Sequence, residues 1–207
     1  MARIQDNSPP VIVGLGGTVS PSSSSERLLR LALDICAAQG AETLMFDGGA
    51  LDLPMYSPTE ASRTPRAAAL IEGLRRANGV LIASPGYHGT VSGLVKNALD
   101  YAQDMAGDAA PYFEGRAVGL IAVAAGWQAT GTTLATLRSI THALRGWPTP
   151  MALAVNSQAK PFTETGSLAD MALARQLEVM AGQVVSFARM RALHELAQAS
   201  ADAAKGE

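Results

Sequence analysis

A chain of 207 residues, 48% hydrophobic and only 16% charged, has enough apolar side chains for one sizeable core and is neither disordered nor highly charged. Its formal net charge of -2 offers no basic footprint, so neither nucleic acid nor an anionic membrane is expected as a partner. The single cysteine, Cys36, excludes an internal disulfide and, set among apolar residues at helical spacing, reads as a small buried hydrophobe.

Met1 to Asn7 is polar and runs into Pro9 and Pro10, without the apolar stretch of a signal peptide, and no apolar run is long enough to cross a bilayer. The expectation is a cytoplasmic protein with a polar tail over 1–9, one domain over 10–200 and a C-terminal tail over 201–207.

Val11 to Leu15 is a short β-branched run ending in glycines, the pattern of a strand buried on both faces. Leu28, Leu29, Ala32, Ile35 and Cys36 then recur at helical spacing, between a serine cluster that can cap the helix and Gly40. Thr43 to Asp47 reads as a second strand, followed by a Gly/Pro/Ser-rich loop to Pro65 that is long for a compact domain. A helix from Arg66 to Ala77 leads to a third strand over Gly79 to Ser84, closed by a turn at Pro85-Gly86. From Thr90, the stripe Val91, Leu94, Val95, Ala98, Ala102 and Met105 predicts an amphipathic helix. Val118 to Val123 is a fourth strand, Leu134 to Leu144 a fourth helix and Met151 to Val155 a fifth strand. A last helix carries Leu173, Leu177, Met180, Val184 and Phe187 on one face. Strict alternation of five strands with helices predicts an α/β, doubly wound parallel sheet, in which ligands bind outside the carboxyl ends of the strands.

The loop after strand one, Gly16 to Ser25, supplies Thr18, Ser20, Ser23, Ser24 and Ser25 at a helix start, a set that suits a phosphate. The plainer alternative is that the serines only cap the helix. The run begins like the dinucleotide fingerprint, but Val19 stands at its third glycine, and no Gly-Lys-Ser/Thr of a nucleoside triphosphatase loop follows. Hydroxyls without that glycine or lysine suit a single terminal phosphate.

Most informative is Ser84-Pro85-Gly86-Tyr87-His88-Gly89-Thr90-Val91-Ser92-Gly93-Leu94-Val95-Lys96-Asn97-Ala98-Leu99-Asp100. It resembles the S-P-x-Y-x-x-S-x-x-G-x-L-K-N-A-[LI]-D pattern of the NAD(P)H-dependent FMN reductases of the flavodoxin-like fold. Thr90 replaces the usual serine and Val95 the usual leucine. The resemblance spans roughly residues 10 to 155 and implies FMN as cofactor, NAD(P)H as co-substrate and a homodimer or homotetramer. It implies hydride transfer from nicotinamide C4 to flavin N5, which asks no protein group to act as acid or base, so no catalytic residue is assigned.

Under that resemblance Pro85, Gly86, Tyr87, His88, Gly89 and Thr90 border the flavin, with backbone donors at its polar edge. Gly126 and Trp127, in the run Ala124 to Gly131, stand where the family has a glycine-rich loop beneath the ring. Lys96 and Asp100, spaced i, i+4, read as a solvated pair. His142 and His194 lack partners at ligand spacing, so no metal is expected. Family members often carry an arginine where Ser20 stands, which predicts weaker phosphate binding and suits a reductase that releases reduced flavin to a partner monooxygenase. Alternatives are a quinone, azo or chromate reductase, and an electron-carrier flavodoxin.

Overall fold

The computed structural model describes residues 8–20, 23–60 and 62–205. Its elements are β1 (Val11–Gly16), α1 (Ser24–Ala38), β2 (Glu42–Phe46), α2 (Pro65–Arg76), β3 (Gly79–Tyr87), β4 (Thr90–Val91) and α3 (Gly93–Asp100). They continue with β5 (Ala117–Ala124), α4 (Trp127–Ala143), β6 (Trp147–Pro148), β7 (Leu153–Asn156) and α5 (Met171–Lys205). Parallel pairing gives the order β2-β1-β3-β5, and the last position is shared by β6, beside the start of β5, and β7, beside its end.

Alternation along the strands sends neighbouring side chains to opposite faces. Ile12, Leu81, Ile121 and Leu153 pack under α1 and α5, whereas Val13, Leu15, Val80, Ile82 and Leu120 pack under α2, α3 and α4. Both faces are thereby covered, as a parallel sheet requires. The fold is flavodoxin-like, but its sheet has seven strands rather than the five expected.

Three expectations shift. The fifth strand, expected over Met151 to Val155, starts two residues later as β7, and an unexpected short strand, β6, pairs ahead of it; Pro148 and Pro150 have no amide for a continuous ladder, and Thr149 spans the gap, its hydroxyl donating to the Met151 carbonyl at 2.7 Å. The third strand runs past Pro85-Gly86 to Tyr87, and the turn falls at His88-Gly89 instead. Helix α4 begins at Trp127 rather than Leu134. Its threonines do not delay it, because Thr130 and Thr132 donate back to the Trp127 and Gln128 carbonyls at 2.8 and 3.1 Å.

The long segment between β2 and α2 is ordered by α3 and the 3-10 turn after it. Asn97, 6% exposed, donates to the Leu53 and Pro54 carbonyls at 3.3 and 2.9 Å and accepts from the Tyr56 amide at 2.8 Å. Arg63 grips Asp104 through two bonds of 2.7 and 2.8 Å, and its guanidinium lies over the Tyr56 and Tyr101 rings. The hydrogen bond from Arg63 holds the Asp104 carboxyl below its usual range. Lys96 and Asp100 form the expected pair at 2.6 Å, with both side chains nearly half exposed.

Removing Asn97 leaves the Leu53 carbonyl and the Tyr56 amide without that partner, while the Pro54 carbonyl keeps the Tyr101 hydroxyl at 3.0 Å. Asn97→Ala is expected to lower the unfolding free energy by about 2–3 kcal/mol. Lys96→Ala should change it by less than about 0.5 kcal/mol. Urea unfolding of both variants checks the contrast, and equal effects would refute the clamp.

Candidate functional site

The chain leaves β1 for β2 on one side and returns to β3 on the other, so strand order reverses between β1 and β3. The crevice outside their carboxyl ends is where such sheets hold ligands. The loops after β1, β3 and β5 all open there.

The first loop is anchored to the end of β3, where the Gly17 amide donates to the Ala83 carbonyl at 3.2 Å. A Cβ on Gly16 would sit 2.0 Å from that same carbonyl oxygen, so only glycine permits the approach. Thr18 and Ser20 close a small turn in which the Thr18 hydroxyl accepts from the Ser20 amide at 3.0 Å. Ser23 is the N-cap of α1, accepting from the Glu26 amide at 3.2 Å. Ser25 is buried, its hydroxyl 3.2 Å from that of Ser23. The helix's own bonding begins with the Arg27 amide on the Ser23 carbonyl, so the amides of Ser24 and Ser25 are not used by it. Capping and anion binding are therefore compatible here.

The second loop is a hairpin. His88 (φ 52°) and Gly89 (φ 84°) both lie in the left-handed region, the demand of a two-residue type I′ turn, and they place Tyr87 opposite Thr90 and Gly86 opposite Val91. Pro85 is buried, Gly86 partly so, and Tyr87 to Thr90 are exposed. Ser84 holds the base of the hairpin by accepting from the Ser92 amide at 3.0 Å and donating to the Pro85 carbonyl at 2.9 Å. Ser92 in turn caps α3.

The third loop is shorter than expected because α4 starts so early. Gly126 is its N-cap, without a side-chain capping bond, and Trp127 is 67% exposed on the first turn. The hairpin leans on this helix. A Cβ on Gly86 would lie 2.5 Å from Thr133 Oγ1 and 3.1 Å from Ala124 Cβ, and one on Gly89 would lie 3.9 Å from Thr132 Oγ1. Every candidate residue read from the sequence thus lies in one of the three connections at the sheet's carboxyl edge or on the element ends that border them, and the donor set of hydroxyls, helix-end amides and two exposed aromatics fits FMN. Sequence reasoning missed the hairpin formed by Phe162 and Leu168 after β7, and Arg27, whose guanidinium covers the Phe162 ring. Cys36 lies apart among the packed apolar residues of α1 and α5, and burial pushes its thiol up to about 12.

The model of the NADPH-dependent FMN reductases matches residues 10–160. The chain belongs to that family. Its members' chemistry makes this an NAD(P)H-dependent flavin oxidoreductase that uses FMN. The chain is similar to an FMN-dependent NADPH-azoreductase of Staphylococcus aureus, 27% identical over 178 residues, which covers 83% of this chain and 91% of that protein. It is also similar to an NADPH azoreductase of Bacillus sp. (strain OY1-2), 34% identical over 83 residues, 40% of this chain and 43% of that protein. In fold it resembles FerB, a flavoenzyme NAD(P)H:(acceptor) oxidoreductase of Paracoccus denitrificans, with TM-score 0.73 and 19% identity over 88% of this chain and 98% of that one.

The reductase's hairpin can be tested at its tightest contact. Gly86→Ala drives a methyl into Thr133 and is expected to weaken FMN binding by roughly tenfold, about 1.4 kcal/mol, with partial recovery when Thr133→Ala is added. Titration of FMN fluorescence reads both. Unchanged affinity in Gly86→Ala would remove the hairpin from the flavin site.

Proposed function

We propose that this FMN reductase holds the flavin across the three loops, with its phosphate at Thr18, Ser20 and the α1 start and its ring between the Tyr87 hairpin and Trp127. The observation that carries the reading is the hairpin turned at His88-Gly89 and resting on the first turns of α4. It sets an exposed tyrosine at the end of β3, and α4 carries an exposed tryptophan just past β5.

When bound, FMN supplies a ring that accepts hydride at N5 and passes electrons on. The chain's part is to bind and orient. The amides of Ser24 and Ser25, outside the helix's own ladder, with nearby hydroxyls, would meet the phosphate. Backbone N–H groups of the hairpin and of the first turn of α4, which has no side-chain cap, would meet the polar edge of the ring and favour the negative charge that reduction brings. Tyr87 and Trp127 would cover its faces, while His88 would be a neighbour without an acid–base role. Catalysis is positioning, with the crevice left open on the solvent side for the nicotinamide and then the acceptor.

The second acceptor divides the reading. Free reduced FMN passed to a flavin-dependent monooxygenase is the first reading, supported by a family model described as FMN reductase. An azo compound, quinone or chromate reduced on the protein is the second reading, supported by the azoreductase relatives. No helix among the described residues is long and apolar enough to cross a membrane, and a cytoplasmic site of action belongs to the same proposal. Homodimers or homotetramers complete it, on the strength of the outer stripe of α5, where Val179, Met190 and Leu193 are 41%, 60% and 68% exposed.

The purified protein is expected to bind FMN and to oxidise NADPH or NADH when FMN is supplied. Loss of reduced FMN to solution marks the first acceptor, and decolourisation of an azo dye without free FMN marks the second. Neither flavin uptake nor nicotinamide oxidation would overturn the proposal. Sedimentation velocity on the same sample is expected to show a dimer or tetramer, and a monomer at all concentrations would remove that part.

A further inference from the structure

The first loop lacks a cation where one is needed. Between Thr18 and Glu26 every described side chain is neutral, whereas a phosphate monoester brings one to two negative charges that hydroxyls and amides solvate but do not neutralise. Arg27 is the first cation to follow in the sequence. It occupies the fourth position of α1, counted from Ser24, and a helical side chain leans towards the N-terminus of its own helix.

Its surroundings set it apart from the other arginines near the site. Arg27 has no carboxylate partner among the described residues, while neighbouring Glu26 is engaged by Arg30 at 3.2 Å. The guanidinium lies 3.7 Å from the centroid of the Phe162 ring. Among the described residues one of its five donors is used, in a long 3.4 Å bond to the Gly166 carbonyl. The aromatic plate belongs to a small hairpin after β7, bridged at Phe162 and Leu168 and closed by the Thr163 amide on Ser167 and the Gly166 amide on Thr163. A half-buried guanidinium without a carboxylate partner among the described residues is thus held over a ring, one turn into the helix whose first two amides lie outside its own ladder.

We propose that Arg27, braced on Phe162, is the cation that binds the FMN phosphate, taking over from α1 the charge that the first loop lacks at Ser20. This assignment rests on the FMN reading given above. It makes Phe162 and its hairpin positioning elements, since they touch the guanidinium and not the flavin. It predicts a preference for FMN over riboflavin that depends on a side chain outside the loop that the family motif covers.

The test compares FMN with riboflavin, which lacks the phosphate, by quenching of flavin fluorescence in the full-length protein and in Arg27→Gln, Arg27→Lys and Phe162→Leu. Arg27→Gln is expected to raise the FMN dissociation constant by roughly tenfold or more and to leave that of riboflavin within about twofold. Arg27→Lys should recover part of the loss, because the charge returns without the planar fork. Phe162→Leu should give a smaller loss confined to FMN. The wild-type affinity for FMN should fall with added salt, and that slope should flatten in Arg27→Gln. Equal losses for FMN and riboflavin would show that Arg27 only supports the fold and would overturn the assignment. So would an unchanged FMN affinity in Arg27→Gln, with flavin binding by the wild type left standing. A wild-type protein that binds neither flavin would overturn the FMN reading itself and this assignment with it.

Discussion

The contact on which the site depends is the bond from the Gly17 amide to the Ala83 carbonyl. It crosses the place where strand order reverses, and so joins the loop after β1 to the end of β3. The joint requires a backbone without a side chain at position 16, because the Ala83 oxygen occupies the space of a Cβ there. Once it is made, the start of α1 is fixed relative to the hairpin that continues from β3. Phosphate donors and ring-facing groups then share one frame, although they lie far apart in sequence.

The motif from Ser84 to Asp100 has a different meaning in space than it has on the page. Several of its polar members face the protein rather than the crevice. Ser84 ties the hairpin base to Ser92, Ser92 caps α3, and Asn97 fastens the segment from Leu53 to Tyr56. Each is 6% exposed or less, where a polar atom without a partner would cost about 1–3 kcal/mol. The residues left to meet a ligand are those between these supports, Gly86 to Thr90. The motif is strong because a flavin loop of this shape needs both kinds of residue: a few that touch and more that hold.

This explains what was legible in the sequence and what was not. Strands β1 and β5 are continuous apolar runs and could be read to within one residue at each end, as could the start of β3, and the serine run announced the start of α1. The turn at His88-Gly89 was misplaced by three residues because Pro85-Gly86 is the stronger local signal, and only pairing with β4 lets the strand run on. Likewise the early start of α4 depends on threonine hydroxyls satisfied by their own helix, which a periodicity count treats as loop. Arg27 and Phe162 lie 135 positions apart, on segments whose local patterns carry no sign of each other. Their meeting needs α1 and the chain leaving β7 to come together at the same edge of the sheet.

The same edge has a division of labour in its electrostatics. Helix ends and hydroxyls supply diffuse positive potential at no desolvation cost, because their dipoles are fixed by the fold. A full charge in the first loop would bind phosphate more tightly, but it would sit exposed and screened on a chain segment without support. A guanidinium laid on an aromatic ring keeps its charge, loses little further freedom on meeting phosphate and gains about 0.5–1 kcal/mol from the ring face itself. Moving the cation from the loop to a helix braced by a second segment therefore exchanges a flexible contact for a preorganised one, and makes cofactor affinity depend on the chain beyond β7 as well as on the loop after β1.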